Sequence, residues 1–376
     1  MKLIHTSDWH FGMPVATGNY EECQRYFLEQ LYDLIRRERV EAVLCAGDVY
    51  DSTISNAEAI RLFDEAATTL CTELGVTFIL IAGNHDSAAR LSSCSKLLEA
   101  SGMFVSGSLK KDPQPVLLDD GKVAVYPLPF FQRDAVTALF PEQKEQIRTT
   151  EDGAKLLCDR IRQTMDPKRR NIILSHSYIV NAELSDSDRA AKLGYASAIS
   201  KDVFEGFDYV ALGHIHKPQI IAPHIRYCGC PIKYSFGSEE LQEKGVVLID
   251  TDTMEQQFIP LPLLRDRKTV TGTYEELIRR EDLKNDYLRL EVTDRYAGLE
   301  LHAELLERFP YLLELKGKSI AGQSEGSSLT EEEVRSLDET DIMCKFMAEC
   351  FDYAPTEEQI QEFRRALAEC EQEDSE

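Results

Sequence analysis

The sequence predicts an α/β (α+β) protein: a two-sheet β-sandwich flanked by helices, then a small α/β capping domain and C-terminal helices. Three observations predict it. The first hundred residues alternate short apolar runs with amphipathic stretches. The middle, from Val116 to Ile259, is a succession of strand-like runs. Beyond Pro262 the alternation resumes on a smaller scale and ends in acidic helical segments.

Residues 2–6 read as a strand. Residues 20–38 have helical spacing, with Phe27, Leu28, Leu31, Leu34 and Ile35 on one face. Residues 42–45 form a buried strand, 56–74 a helix, 77–82 a third strand and 87–100 another helix. This β-α-β-α-β order implies a parallel sheet covered by helices. Strands follow at 116–118, 123–127, 171–175, 209–213, 219–222, 245–250 and 256–259, with a helix at 158–165 that ends before Pro167. Pro260-Leu261-Pro262 and the basic stretch from Arg265 to Lys268 read as a domain exit. A small β-α-β unit follows (287–292, 298–309, 311–315), then a Gly/Ser-rich loop over 317–328. Helices at 338–353 and 356–371 are separated by Ala354-Pro355. The expected domains are 1–265, 266–330 and 331–376.

Composition narrows the class. The 376 residues are 43% hydrophobic and 29% charged, enough apolar material for a sizeable core. No apolar run of transmembrane length occurs, and the N-terminus lacks the apolar region of a signal peptide, so a cytoplasmic location is expected. Ten scattered cysteines with no CxxC pair fit a reducing compartment. Cys228-Gly229-Cys230 reads as a tight turn before Pro231. The net charge of −24 argues against a nucleic-acid partner by itself, because DNA contacts need basic side chains. That charge is uneven. Residues 266–376 hold about 29 acidic and 14 basic residues, net about −15, which leaves about −9 for the first 265.

Five clusters carry chemistry, each just past an expected strand: Asp8-Trp9-His10, Gly47-Asp48-Val49-Tyr50-Asp51, Gly83-Asn84-His85-Asp86, Ser175-His176-Ser177 and Gly213-His214-Ile215-His216. They hold five of the eight histidines. Loops leaving adjacent strand ends converge on one edge of an open α/β sheet. In D-x-H and H-x-H two candidate ligands lie two residues apart, on one side of an extended segment. Mixed imidazole and carboxylate donors suit manganese, iron or zinc. No cysteine joins the set, so a closed structural zinc site is not expected. His5, His224 and His302 read as structural or surface residues, Trp9 as packing. Asp86 is expected to cap the helix from Ser87 or to orient His85.

This ordered set, D-x-H, GD, GNHD, H and GHxH, resembles that of the calcineurin-like metallophosphoesterases. The phrases from His5 to Gly12, Ala46 to Asp51 and Ala82 to Ser87, with Tyr234-Ser235-Phe236-Gly237 before Lys244-Gly245-Val246-Val247-Leu248-Ile249, are similar to the bacterial SbcD nuclease subunits, relatives of the Mre-type DNA-repair nucleases. The resemblance implies that Asp8, His10, Asp48 and His216 hold one divalent ion and that Asp48, Asn84, His176 and His214 hold another, both expected to be Mn2+. It implies that His85 faces substrate and acts on the leaving 3′ oxygen, with Asp51 orienting His85. Some distant relatives carry His at the Asp51 position.

The implied activity is 3′→5′ double-strand exonuclease and single-strand or hairpin endonuclease. The implied partners are DNA ends and hairpins, a coiled-coil ATPase of the SbcC type, and a second copy in a heterotetramer. Ile342, Met343, Phe346, Met347 and Phe351, then Ile360, Phe363 and Leu367, fall at helical spacing and offer the ATPase a docking face. Two alternatives stay open: a stand-alone phosphatase or cyclic-nucleotide phosphodiesterase, and a metal-free scaffold. The scaffold reading requires lost ligands, and none is lost. Protein-phosphatase relatives usually show GNHE, whereas Asp86 follows His85 here.

Overall fold

The computed structural model describes residues 1–16, 18–188 and 198–318, and beyond these 340–341, 343–344, 355–356 and 359–365. Strands β1 (Lys2–Thr6), β2 (Ala42–Cys45), β3 (Thr77–Ile81) and β4 (Met103–Ser106) are parallel neighbours. Helices α1 (Glu21–Glu38) and α2 (Ala57–Thr68) connect the first three. A second sheet holds β5 (Val116–Leu118), β6 (Val123–Leu128), β7 (Arg170–His176), β8 (Tyr209–Gly213), β9 (Gln219–Ala222) and β10 (Ile225–Tyr227), in the order β9-β10-β8-β7-β6-β5. The chain then returns to the first sheet. There β11 (Gly245–Asp250) runs antiparallel to β1, and β12 (Gln256–Pro260) takes the edge.

Period-2 alternation decides the layering. Leu3, Leu44, Ile79 and Ile81 meet Val125, Ile172, Leu174 and Ala211 between the sheets, with no exposure. Ile4, Val43, Phe78 and Leu80 point the other way, onto the buried faces of α1 and α2. Both faces of each central strand are thus covered, which is why these strands read as continuous apolar runs.

Two helix expectations are corrected. Residues 87–100 are not one helix but two single turns, Ala88–Leu91 and Ser95–Leu98. Between them Cys94 takes a left-handed φ of 58° after Ser92-Ser93, poor helix formers. The helix expected at 158–165 begins earlier, as α3 (Thr150–Thr164), because Thr149 and Asp152 form a capping box. Asn56 caps α2, and the helical path continues through a π turn at Thr69–Glu73. Strands β4 and β10 and a helix at Arg133–Leu139 were not anticipated.

The capping unit is larger than β-α-β. The basic stretch expected to mark a domain exit runs into β13 (Arg267–Gly272), which pairs in parallel with β14 (Tyr287–Val292), which pairs with β15 (Leu312–Lys316). Helices α4 (Tyr274–Ile278) and α5 (Leu299–Arg308) cover this sheet through Leu277, Leu301 and Leu305. It rests on the main body through Tyr287 against Tyr20, whose ring meets Tyr234 (centroids 5.2 and 5.3 Å). Residues 340–341, 343–344 and 359–365 are helical. The rest of the expected docking helices lies outside the described residues. Among the described residues no helix is long and apolar enough to cross a membrane.

His5, read as structural, staples the two sheets. Its Nδ1 faces Tyr209 Oη at 2.9 Å and its Nε2 faces Leu212 O at 3.1 Å. Only a neutral ring can accept from the tyrosine while donating to the carbonyl. Burial, then the Arg226 charge, lowers its pKa from 6.5 to about 3. Below pH 6.5 the unfolded chain takes up a proton that the folded chain refuses, so stability falls as pH drops toward 3. This group alone is expected to cost about 2 kcal/mol between pH 7 and pH 5. Urea midpoints at both values, compared with those of His5→Gln, check it: the variant should lose that part of the acid sensitivity.

Candidate metal centre

The five clusters do meet, where β1, β2, β3, β7 and β8 end. The loops after β1 and β2 are laced together by Asp8 N–H donating to Gly47 O (2.9 Å) and His10 N–H to Asp48 O (3.0 Å). Asp8, His10, Asp48 and His214 all adopt positive φ (53°, 46°, 49° and 99°). Such backbone costs roughly 1–3 kcal/mol per residue and persists where the surroundings dictate it, often at functional sites.

The side chains form two groups; Asp48 faces both, and Asp8, placed with the first, also lies within 4.8 Å of Asp48 and His176. In the first, His10 Nε2 faces His216 Nε2 at 3.1 Å, and donor atoms of Asp8, His10 and His216 lie within 4.8 Å of one another. Asp48 Oδ2 stands 3.8 Å from His10 Nε2. In the second, Asn84 Oδ1 lies 3.0 Å from His176 Nε2 and 2.9 Å from His214 Nδ1, while Asp48 Oδ2 is 3.3 Å from His176 Nε2. Asp8, His10, Asp48, His176 and His216 are buried, His214 and His85 half-buried, and Asn84 exposed, so the pair of groups opens to one side.

These donors suit divalent cations. The outer nitrogens are already engaged, His176 Nδ1 with Ala46 O and His216 Nδ1 with Ser187 Oγ, both at 2.8 Å. That arrangement turns each Nε2 inward, the usual support for a metal-binding imidazole. Two carboxylates, four imidazoles and one amide oxygen are oxygen and nitrogen donors with no thiolate.

The glycines serve close approach. A Cβ on Gly47 (φ 95°) would stand 2.5 Å from His176 Nδ1, and one on Gly83 would stand 2.1 Å from Asp48 Oδ1. Gly83→Ala is expected to push Asp48 aside, destabilise the fold by about 1–3 kcal/mol and weaken uptake of divalent ions. Thermal melting with and without Mn2+ measures both effects.

With this geometry in place, likeness to known proteins becomes informative. Residues 1–218 match the calcineurin-like phosphoesterase family. Residues 263–351 match the type 5 capsule protein repressor C-terminal domain. The SbcD component of the SbcCD nuclease of Staphylococcus epidermidis is 29% identical over 375 residues, 98% of each chain. Its counterpart in the SbcCD nuclease of Staphylococcus saprophyticus subsp. saprophyticus is 30% identical over 354 residues, 92% of each. The chain belongs to the calcineurin-like phosphoesterases, among the SbcD nuclease subunits. It is a metal-dependent phosphodiesterase, and its family uses divalent ions.

One expectation about the site changes and a second is refined. Asp86 caps no helix. Its carboxylate accepts from the backbone N–H of Gly83, Val49 and Tyr50 at 2.9–3.2 Å, stitching the second cluster to the third. Burial and the neighbouring Asp48 raise its pKa to about 6. Asp51 divides its contacts. Its backbone carbonyl meets His85 Nδ1 at 2.7 Å, whereas its carboxylate is directed at His10 Nδ1, 3.5 Å away. The carboxylate also lies within 4.8 Å of a His85 ring nitrogen, so Asp51 stands between the two histidines and holds His85 through its backbone carbonyl. Trp9 packs against Phe11, Phe27 and Phe78, as expected. Cys228 and Cys230 flank Gly229 (φ 75°), a tight turn of free thiols.

The electrostatics reflect crowded donors. Burial opposes charge on Asp48, yet His176, His10 and His85 around it hold its carboxyl far below the usual range. Burial likewise opposes a charged His176, but Asp48 outweighs it and raises the ring to about 9. Burial, then the His176 charge, lowers His214 to about 3. Cation and proton compete for the same lone pairs at such a site, so metal uptake releases protons.

The sequence alone does not reveal the groups behind the candidate ligands: Ala46 O, Ser187, Asp188, Tyr234 and Glu239. Ala46 and Tyr234 fall in phrases that carry the resemblance, whereas Ser187, Asp188 and Glu239 lie outside them.

Proposed function

We propose that this chain is the nuclease subunit of a DNA repair and recombination complex. It cuts DNA as a 3′→5′ double-strand exonuclease and a single-strand or hairpin endonuclease, with two Mn2+ ions. Asp8, His10, Asp48 and His216 hold one ion, and Asp48, Asn84, His176 and His214 hold the other. The observation that carries this reading is the pair of donor groups joined at Asp48, open on the side of Asn84 and His85.

When bound, paired divalent ions activate a water and neutralise charge on the phosphate. The protein's own groups do the rest. His85 presents Nε2 to the leaving 3′ oxygen and donates a proton to it. The Asp51 carbonyl keeps Nδ1 protonated, so the proton leaves from Nε2. Asp48 Oδ1 accepts from the His85 backbone N–H at 2.9 Å, which ties the acid to the ion-binding carboxylate. The Asp51 carboxylate orients His10.

Residues 1–265 form the nuclease unit, 266–330 the capping domain that positions DNA, and 331–376 the segment that binds an SbcC-type coiled-coil ATPase. Two copies act in a cytoplasmic heterotetramer. A partner that supplies basic surface reconciles the acidic chain with a DNA substrate. The test is Mn2+-supplemented digestion of end-labelled duplex DNA beside a small phosphomonoester, with and without the ATPase. Shortening of the labelled DNA is expected; hydrolysis of the monoester alone under both conditions would sink the nuclease reading.

A further inference from the structure

The geometry points to a buried positioning relay, Ser187–Glu239–Lys244, that aims the metal-facing nitrogen of His216. It rests on reading His216 as a metal ligand. His216 Nδ1 donates to Ser187 Oγ at 2.8 Å, and the Ser187 hydroxyl donates to Glu239 Oε1. Glu239 is fixed on every side. Its Oε2 accepts from Tyr234 N–H at 2.8 Å, its Oε1 from Ser235 Oγ at 3.0 Å, and Lys244 Nζ pairs with it at 3.4 Å. The side chains of Glu239 and Lys244 are fully buried. Lys244 Nζ also donates to His216 O at 2.9 Å, gripping the same residue from its backbone. Asp188 completes the hold by accepting from His216 N–H at 3.2 Å.

A buried ion pair this enclosed is costly to form and is poor evidence for stability on its own. Its use here is directional. The serine hydroxyl can donate to only one group, and the carboxylate takes that proton. The serine lone pairs then face Nδ1 and fix the ring with Nδ1 protonated and Nε2 turned toward His10. His216, Cys230 and Glu239 also cluster as a metal site might, but the Lys244 ammonium, 3.2 Å from Cys230 Sγ, fills that place with a positive charge. The cluster is a support, not a third cation site. His216 is held through a side-chain hydroxyl and carboxylate, whereas His176 leans on the backbone carbonyl of Ala46.

Isothermal titration of Mn2+ into the metal-stripped full chain tests the relay, with melting curves to show that each variant folds. Ser187→Ala removes the hydroxyl from a half-buried position. It is expected to weaken one of two Mn2+ affinities by about 10- to 100-fold and leave the other within about twofold. Ser187→Thr, which keeps the hydroxyl, is expected to restore the weakened site. In the Co2+-loaded chain, Ser187→Ala should alter the visible absorption of one ion only. A folded Ser187→Ala chain with both affinities as in the wild type overturns the relay. So does equal weakening in Ser187→Thr and Ser187→Ala. A wild-type chain that takes up no Mn2+ overturns the metal reading, and the relay with it.

Discussion

Replacing His85 with alanine is expected to lower kcat on DNA by about 10²- to 10⁴-fold while both divalent ions remain bound. Position and contacts separate this histidine from its neighbours. It is half-buried, at the open side of the centre. Its Nδ1 is committed to the Asp51 carbonyl at 2.7 Å, and its backbone N–H to Asp48 Oδ1 at 2.9 Å. Only Nε2 remains for substrate. The ring meets His10 edge-on, with centroids 4.9 Å apart, so its loss leaves the other donors in place. The backbone link to Asp48 survives substitution. Metal content after dialysis, measured beside turnover, checks the outcome. If Mn2+ content fell in step with activity, His85 would be a ligand and the proton-donor role would be wrong. The leaving group sharpens the test. A substrate whose leaving oxygen needs no proton, such as a p-nitrophenyl phosphodiester, should lose far less rate than DNA does.

Much of this candidate site was legible in the sequence because its donor side chains stand at the ends of buried strands. Runs such as Ala42–Cys45 and Tyr209–Gly213 are apolar throughout, since the sandwich covers both of their faces, and the polar cluster begins where the run stops. Spacing also survived folding. Asp8 and His10, and His214 and His216, remain two apart at one edge, although left-handed backbone at Asp8, His10 and His214 replaces the extended segment that the spacing suggested. What stayed hidden depends on contacts between distant loops. Ser187 and Glu239 are 52 residues apart and belong to no period. Asp86 looked like a helix cap because it precedes Ser87. Its carboxylate instead finds three N–H groups, two of them in a loop 36 and 37 residues away. The break at Cys94 is similarly silent, because Ser92-Ser93-Cys94 weakens a helix without forbidding it.

Asp48→Asn should be the more damaging substitution, with kcat falling further than in His85→Ala and both ions lost rather than none. In the assignment proposed above Asp48 is shared by the two ion sites, and it stands 3.3 Å from His176 and 3.8 Å from His10. Asparagine preserves its shape and one acceptor but removes the charge. In that assignment the first site then keeps Asp8 as its carboxylate, and the second keeps none of its own. Affinity for both ions is expected to fall at least about 100-fold, because even the loss of an outer partner costs 10- to 100-fold. Melting temperature distinguishes this from a folding defect. A ligand that binds only the folded chain raises stability by RT ln(1 + [L]/Kd). Adding Mn2+ should therefore raise the melting temperature of the wild type and of His85→Ala, and leave Asp48→Asn where it was. A wild-type-sized shift in Asp48→Asn would show that the two groups hold their ions independently of the shared carboxylate. The bridging role would then fail even if turnover were lost.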